Sequence, residues 1–223
     1  MRRIVIGNFS FLVKIERDRI KHTKIKINGN EIVVRSPFEK PEEDIKDIVL
    51  WKLKKLELDK VDKMFLTNFL FFGNPYKVLQ ADNFSIDHKN KIIFFNSTHV
   101  FRAKKYLASS LRNYAKNYLR KVYKKFGLKN LPEVEIRGMK NKLGCLKNEK
   151  ILLNFNMCFF PKHLIRYVIN HELIHYKVNS HNNVFNYLIS SVHPNYKEIE
   201  KELKKFLIIV GYNKKLQEIY SRA

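Results

Sequence analysis

Two histidines four residues apart enclose a glutamate in His171-Glu172-Leu173-Ile174-His175, an H-E-x-x-H element. On a helix, side chains at i and i+4 leave from one face, so both imidazoles can reach a single cation while the glutamate lies beside them. A third imidazole, His181, follows six residues after the second. A catalytic zinc takes three protein ligands and keeps one position open for water, and this segment offers three nitrogens. Glu172 is then placed to take the proton of a water that the metal has acidified. With only 8 histidines in the chain, the five-residue element is expected by chance about 0.02 times, so coincidence is a poor account of it.

The third ligand has competitors. His181 follows a rigid helix closely and is easily preorganised, whereas His193, Glu198, Glu200 and Glu202 are downstream donors of the kind that complete other zinc sites. The position where metzincins carry a glycine to turn the chain is Val178, and Asn179 is the residue expected to supply a left-handed conformation instead. His22, His88, His99 and His163 have no partner spacing and read as surface residues. The donor types favour Zn²⁺, although manganese, cobalt and nickel fit similar sites.

The elements that must hold these residues can be read from periodicity. Pro161 opens the helix that carries the motif to about Val178, with Leu164, Ile165, Val168, Ile169, Leu173 and Ile174 as its apolar faces. A loop over Asn179-Ser180-His181-Asn182 leads to a helix at 183–192, and another runs from Tyr196 to about Val210. Strands are expected at 133–138 and 151–156, the latter as an exposed edge. From Arg102 to Phe126 apolar residues recur every three to four positions, giving a helix with nine Lys or Arg and no acid. Upstream, Phe9–Ile15 reads as a strand, 23–27 and 31–35 as a hairpin through Asn28-Gly29, and Pro41 to about Leu58 as a helix with acids in its first turn. Gly73-Asn74-Pro75 turns the chain into short strands at 76–80, 84–86 and 92–95. The periodicity changes between residues 96 and 102. The reading is therefore an α+β fold, with a β-rich N-terminal subdomain (1–98) packed on a helical, zincin-like metallohydrolase domain (99–223).

Composition bounds the rest. A chain of 223 residues with 45% hydrophobic and 29% charged residues buries a core. Two cysteines, Cys145 and Cys158, exclude a disulfide framework and suit a reducing compartment. The N-terminus lacks the apolar run of a signal peptide, and no stretch is long enough to span a bilayer, so a cytoplasmic protein without membrane partners is expected. The 44 basic against 21 acidic residues leave a formal charge of +23, which either keeps the protein soluble or meets an anionic partner. On the basic helix, Tyr106, Tyr114, Tyr118 and Tyr123 interleave with the cations and are expected to stand exposed and stack on bases, a composition suited to binding nucleic acid without reading its sequence.

The segment His171–His181, followed by Phe185, Pro194, Tyr196 and Lys197, resembles the YgjP-like metallopeptidase domain family, zincin-type proteins distantly related to SprT/Spartan-type proteases. Weaker similarities are Arg35-Ser36-Pro37, Pro41-Glu42-Glu43, Phe72-Gly73-Asn74-Pro75-Tyr76 and Leu153-Asn154. The resemblance implies that His171, His175 and His181 bind zinc and that Glu172 is the base. It departs where the family carries a Trp-Gly-Ser-Cys-Ser loop: here Arg137, Lys140 and Lys142 precede Leu143-Gly144-Cys145-Leu146.

Three functions compete on these grounds. A zinc peptidase would use Glu172 to deliver water to a peptide or protein substrate, with Tyr196, His193 or Arg166 steadying the oxyanion. The same unit could hydrolyse a nucleotide phosphoanhydride, although no glycine-rich phosphate loop is present. A nucleic-acid binder with a structural or vestigial metal site has no use for Glu172.

Overall fold

In a computed structural model, residues 2–140 and 142–220 of the chain are described. In chain order the elements are β1 (Arg2–Ile6), β2 (Phe9–Arg17), β3 (Lys24–Asn28), β4 (Glu31–Ser36), α1 (Glu42–Lys55), α2 (Met64–Thr67), β5 (Phe69–Phe71), β6 (Asn74–Leu79), β7 (Ser85–Asp87) and β8 (Ile92–Phe94). There follow α3 (Val100–Val122), β9 (Glu133–Arg137), β10 (Gly144–Lys147), β11 (Lys150–Asn154), α4 (Lys162–Ile174), α5 (Asn183–Val192), α6 (Tyr196–Tyr212) and α7 (Lys214–Tyr220). Sheets and helices are segregated along the chain, as an α+β fold requires.

Contacts divide the chain into two compact units, one of residues up to Asn68 with those from Lys201 onward, the other Phe69–Glu200. The division falls elsewhere than the change of periodicity at 96–102. Strands β5 to β8 go with the motif helix, and the chain from Lys201 onward goes with the N-terminal sheet. Periodicity reports the element a residue belongs to, not the core that element enters.

The first unit holds a sheet in the order β1-β2-β4-β3, parallel at its centre and antiparallel at both edges. Asn28-Gly29 makes the expected turn, with Gly29 at φ 57°. Strand β1 was not anticipated. It pairs with β2 through a second tight turn in which Gly7 has φ 52°. Alternation along the strands buries Ile4, Ile6, Phe9, Phe11, Val13, Ile32 and Val34, and α1 adds Ile45, Val49 and Leu53.

The second unit carries the motif. Its four-stranded sheet runs β5-β6-β8-β7, and its three-stranded sheet β10-β11-β9. Helix α3 buries Leu107, Leu111, Ala115 and Leu119 at the predicted spacing. The expectation that 151–156 forms an exposed edge is overturned: β11 is the central strand, antiparallel to β10 and parallel to β9, with Ile151 and Leu153 fully buried. The physical reason is legible in retrospect, since an unbroken Ile151-Leu152-Leu153 run marks a strand covered on both faces. The edges are β9 and β10, and β10 turns into β11 through Asn148 and Glu149 at φ 48° and 60°. His88 is exposed, as expected, and it also stacks on Phe71 at 5.7 Å and bridges the hydroxyls of Tyr76 and Tyr106 at 3.1 and 3.3 Å.

Asn154, 3% exposed at the end of β11, fixes the loop that leads into β10. Its Nδ2 donates to the carbonyls of Met139 and Lys142 at 2.6 and 2.7 Å, and its Oδ1 accepts the Asn156 N–H at 3.1 Å. Asn154→Ala leaves these groups without their partner. We expect it to lower stability by about 2–4 kcal/mol, read from urea unfolding midpoints. An unchanged midpoint would show that water replaces the amide without loss.

Candidate metal centre

Helix α4 starts after Pro161 and is apolar almost all round, burying Leu164, Ile165, Val168, Ile169, Leu173 and Ile174. A helix so enclosed holds its few polar side chains in fixed places. His171 and His175 leave it one turn apart, their rings 5.0 Å apart. The helix ends at His175, and the chain turns back so that the His181 ring lies 4.8 and 4.9 Å from the other two. Nitrogens of the three imidazoles all lie within 4.8 Å of one another. Asn179 is not among the left-handed residues, so the turn is made without the conformation expected of it. It closes instead through Lys177 N–H to the Ile174 carbonyl at 2.8 Å, and Asn182 caps α5 by accepting the Phe185 N–H at 3.1 Å.

That cap places Phe185, whose ring packs 4.7, 5.0 and 4.6 Å from those of His171, His175 and His181. One buried aromatic thus supports all three imidazoles. The family resemblance marked Phe185, but nothing in its spacing gave this role.

His175 Nδ1 lies 2.9 Å from the Val178 carbonyl, which can only accept, so Nδ1 carries the proton and Nε2 is free. Burial, helped by His175 and His181, drops the His171 pKa to about 4 and keeps its ring neutral. His171 Nε2 and His181 Nε2 approach to 2.8 Å. Three imidazole nitrogens converging from one helix and its following turn form a donor set that suits a borderline cation such as Zn²⁺.

The other downstream donors are not brought into this cluster. His193 Nε2 accepts the Asn170 amide at 2.9 Å, and Glu200 accepts the Tyr167 hydroxyl at 3.0 Å. Glu198 is exposed, and Glu202 is likewise outside the three-histidine group. Of the residues considered for the oxyanion, Arg166 donates to the Tyr114 hydroxyl at 2.8 Å and His193 is held by Asn170. Tyr114 also donates to the Lys162 carbonyl at 3.2 Å, and the Asn170 amide reaches Tyr118 at 2.9 Å. Two of the tyrosines expected to stand free on α3 therefore tie it to α4.

Glu172 points to a different neighbour from the histidines. It is 6% exposed and lies under β10, where the Leu146 N–H bonds it. Burial raises its pKa to about 7, against the lowering effects of the Leu146 N–H and Lys142. A cation at the imidazoles would favour the carboxylate form. The fit is tight: a Cβ on Gly144 would stand 2.7 Å from Glu172 Oε1 and 2.8 Å from Val168 Cγ1. The hairpin is pinned from its tip as well, where the Tyr176 hydroxyl donates to the Glu149 carbonyl at 2.7 Å. Cys145, beside Gly144 on this strand, is partly buried, while Cys158 is fully buried.

The motif thus brings together a helix-borne histidine cluster, a buried carboxylate and an edge strand. Residues 21–206 match the YgjP-like metallopeptidase domain, and the chain belongs to that family. Among solved structures, the chain is similar to the metallopeptidase zymogen jannalysin of Methanocaldococcus jannaschii, at 25% identity over 42% of this chain and 90% of that one, with a TM-score of 0.38. No curated protein matches the chain. Among the described residues, no helix is long and apolar enough to cross a membrane.

The Gly144 contact gives a test of this geometry. Gly144→Ala forces either β10 or the Glu172 side chain to move, and overpacking of this kind costs about 1–3 kcal/mol. The expected outcome is a lower thermal midpoint than that of Gly138→Ala, whose site has open space for the methyl group. Equal midpoints for the two variants would show that β10 does not press on α4.

Proposed function

We propose that the chain is a zinc-dependent peptidase in which His171, His175 and His181 hold the metal and Glu172 is the general base. The observation that carries this reading is the convergence of three imidazole nitrogens within 4.8 Å beside a carboxylate 6% exposed. Family membership supports a peptide or protein substrate. A divalent cation bound there supplies a Lewis acid for the scissile carbonyl and lowers the pKa of water.

The chain's own groups do the remaining work. An extended peptide adds to the outer edge of β10, not to the strand expected as an edge at 151–156. Gly144 lets that strand lie against Glu172, so the scissile bond arrives beside the base. Glu172 Oε accepts a proton from water as it attacks, and hands the proton to the departing amine. Leu146 N–H holds the carboxylate in place through both transfers.

Two outcomes are expected. His171→Ala, His175→Ala and His181→Ala should each reduce bound zinc to well below one equivalent by elemental analysis, whereas His193→Ala should retain it. Full occupancy in His181→Ala would remove it from the ligand set. Glu172→Gln keeps shape and loses basicity, so zinc should remain while peptide hydrolysis falls by about 10² or more. Undiminished hydrolysis in that variant would sink the mechanism, and triphosphate hydrolysis lost in its place would transfer the site to nucleotide chemistry.

A further inference from the structure

We infer that single-stranded nucleic acid docks along the outer face of α3, with one base seated in an aromatic cleft at the start of that helix. The cleft encloses about 350 Å³ and is lined by Phe72, Asn74, His88, Tyr106, Ser110 and Lys162, among others. That volume lies at the small end of ligand pockets and suits a base with its sugar.

Its walls are stacking surfaces. Phe72 lies 4.5 Å from Phe71 and 5.4 Å from Tyr114, and Tyr106 lies 5.6 Å from Phe84 and 6.2 Å from Phe71, measured between ring centroids. Tyr106 keeps 39% of its surface exposed. Phe72 is held at φ 48°, a conformation a bulky residue rarely adopts, by its N–H on the Cys158 carbonyl at 2.8 Å and that of Gly73 on Phe159 at 3.2 Å. The backbone is thus fixed where it presents the ring to the cleft.

Charge selects the occupant. The Lys162 ammonium stands 5.3 Å over the Phe72 ring and 5.5 Å over that of Tyr114, so a cation entering the cage meets a like charge already there. A flat aromatic ligand carrying an anionic group meets complementary charge. Such a ligand is a nucleotide.

The helix extends that preference beyond one nucleotide. Tyr106 and Ser110 share their side of α3 with Arg120, Lys121 and, beyond its end, Lys124, while Arg102, Lys105 and Arg112 flank them. These six cations are exposed, and among the described residues none is paired with a carboxylate. Arg102 to Lys124 spans about 33 Å at helical rise, enough for several nucleotides. A duplex keeps its bases stacked inside, so the cleft favours a single strand.

The test is fluorescence anisotropy with a labelled oligothymidylate, a duplex of equal length and thymidine monophosphate, each over a salt series. The single strand should bind more tightly than either, with affinity falling steeply as salt rises. Tyr106→Ala should weaken it about tenfold and leave the salt slope alone, whereas Tyr106→Phe keeps the ring and should bind as the parent. Changing Arg120, Lys121 and Lys124 to Gln should reduce the slope by about 2. Should Tyr106→Ala fail to fold, Lys162→Gln, at an exposed side chain, probes the same cleft. Equal affinity for the duplex, equal affinity for the mononucleotide, or binding unaltered by all the variants would overturn the proposal, as would no binding at low salt. Binding is read without turnover, so the result is independent of the peptidase reading.

Discussion

A carboxylate can be buried under a β-strand only if the strand leaves room for it, and at Gly144 the room is that of a missing methyl group. Any side chain at this position would occupy the volume of Glu172 Oε1 and Val168 Cγ1. With hydrogen there, the backbone of β10 closes over the helix, and its Leu146 N–H supplies a partner that the buried carboxylate needs. The same contact sets the register between helix and edge strand. Glu172 is therefore aimed at the strand edge while His171 and His175, on the neighbouring face of the helix, are aimed at the turn that carries His181.

How tightly the strand must be held explains the investment around it. Asn154 binds the incoming loop by two carbonyls, and Tyr176, one residue after the second histidine, binds the hairpin tip. One end of the strand is therefore secured from β11 and the other from the segment that leaves α4. Without these ties a four-residue edge strand at positive-φ turn residues would be a weak element, since Asn148 and Glu149 contribute no glycine to relieve the turn. The site thus depends on hydrogen bonds outside it for the position of that strand.

The clustering of the three histidines is legible in the sequence because their spacing is local. Histidines at i and i+4, with a third soon after the helix, can be recognised without knowing what the helix packs against. The strand above them could not be read in that way. Gly144-Cys145-Leu146-Lys147 has neither length nor alternation, and its turn lacks the Asn-Gly signal that exposed β3 and β4. The apolar run at 151–153 was correctly read as a strand, but the covering of both its faces was mistaken for an edge. Tyr114 and Tyr118 fall on the cationic side of the helix, where exposure is expected, whereas a hydroxyl within reach of Lys162 or Asn170 joins two helices.

The charge of the chain bears differently on the metal and on its competitors. A formal +23 opposes the approach of a divalent cation, but it opposes protonation of the imidazoles as well. Exposed charges beyond about 8 Å are screened at physiological salt, so most of the surface lysines contribute little to either effect. Burial acts at the ring itself and is not screened: it holds the His171 pKa near 4, which removes the proton as a rival for the nitrogen at neutral pH. Short-range desolvation therefore decides the state of His171, and the surface charge is left free to act on partners that meet it from solvent.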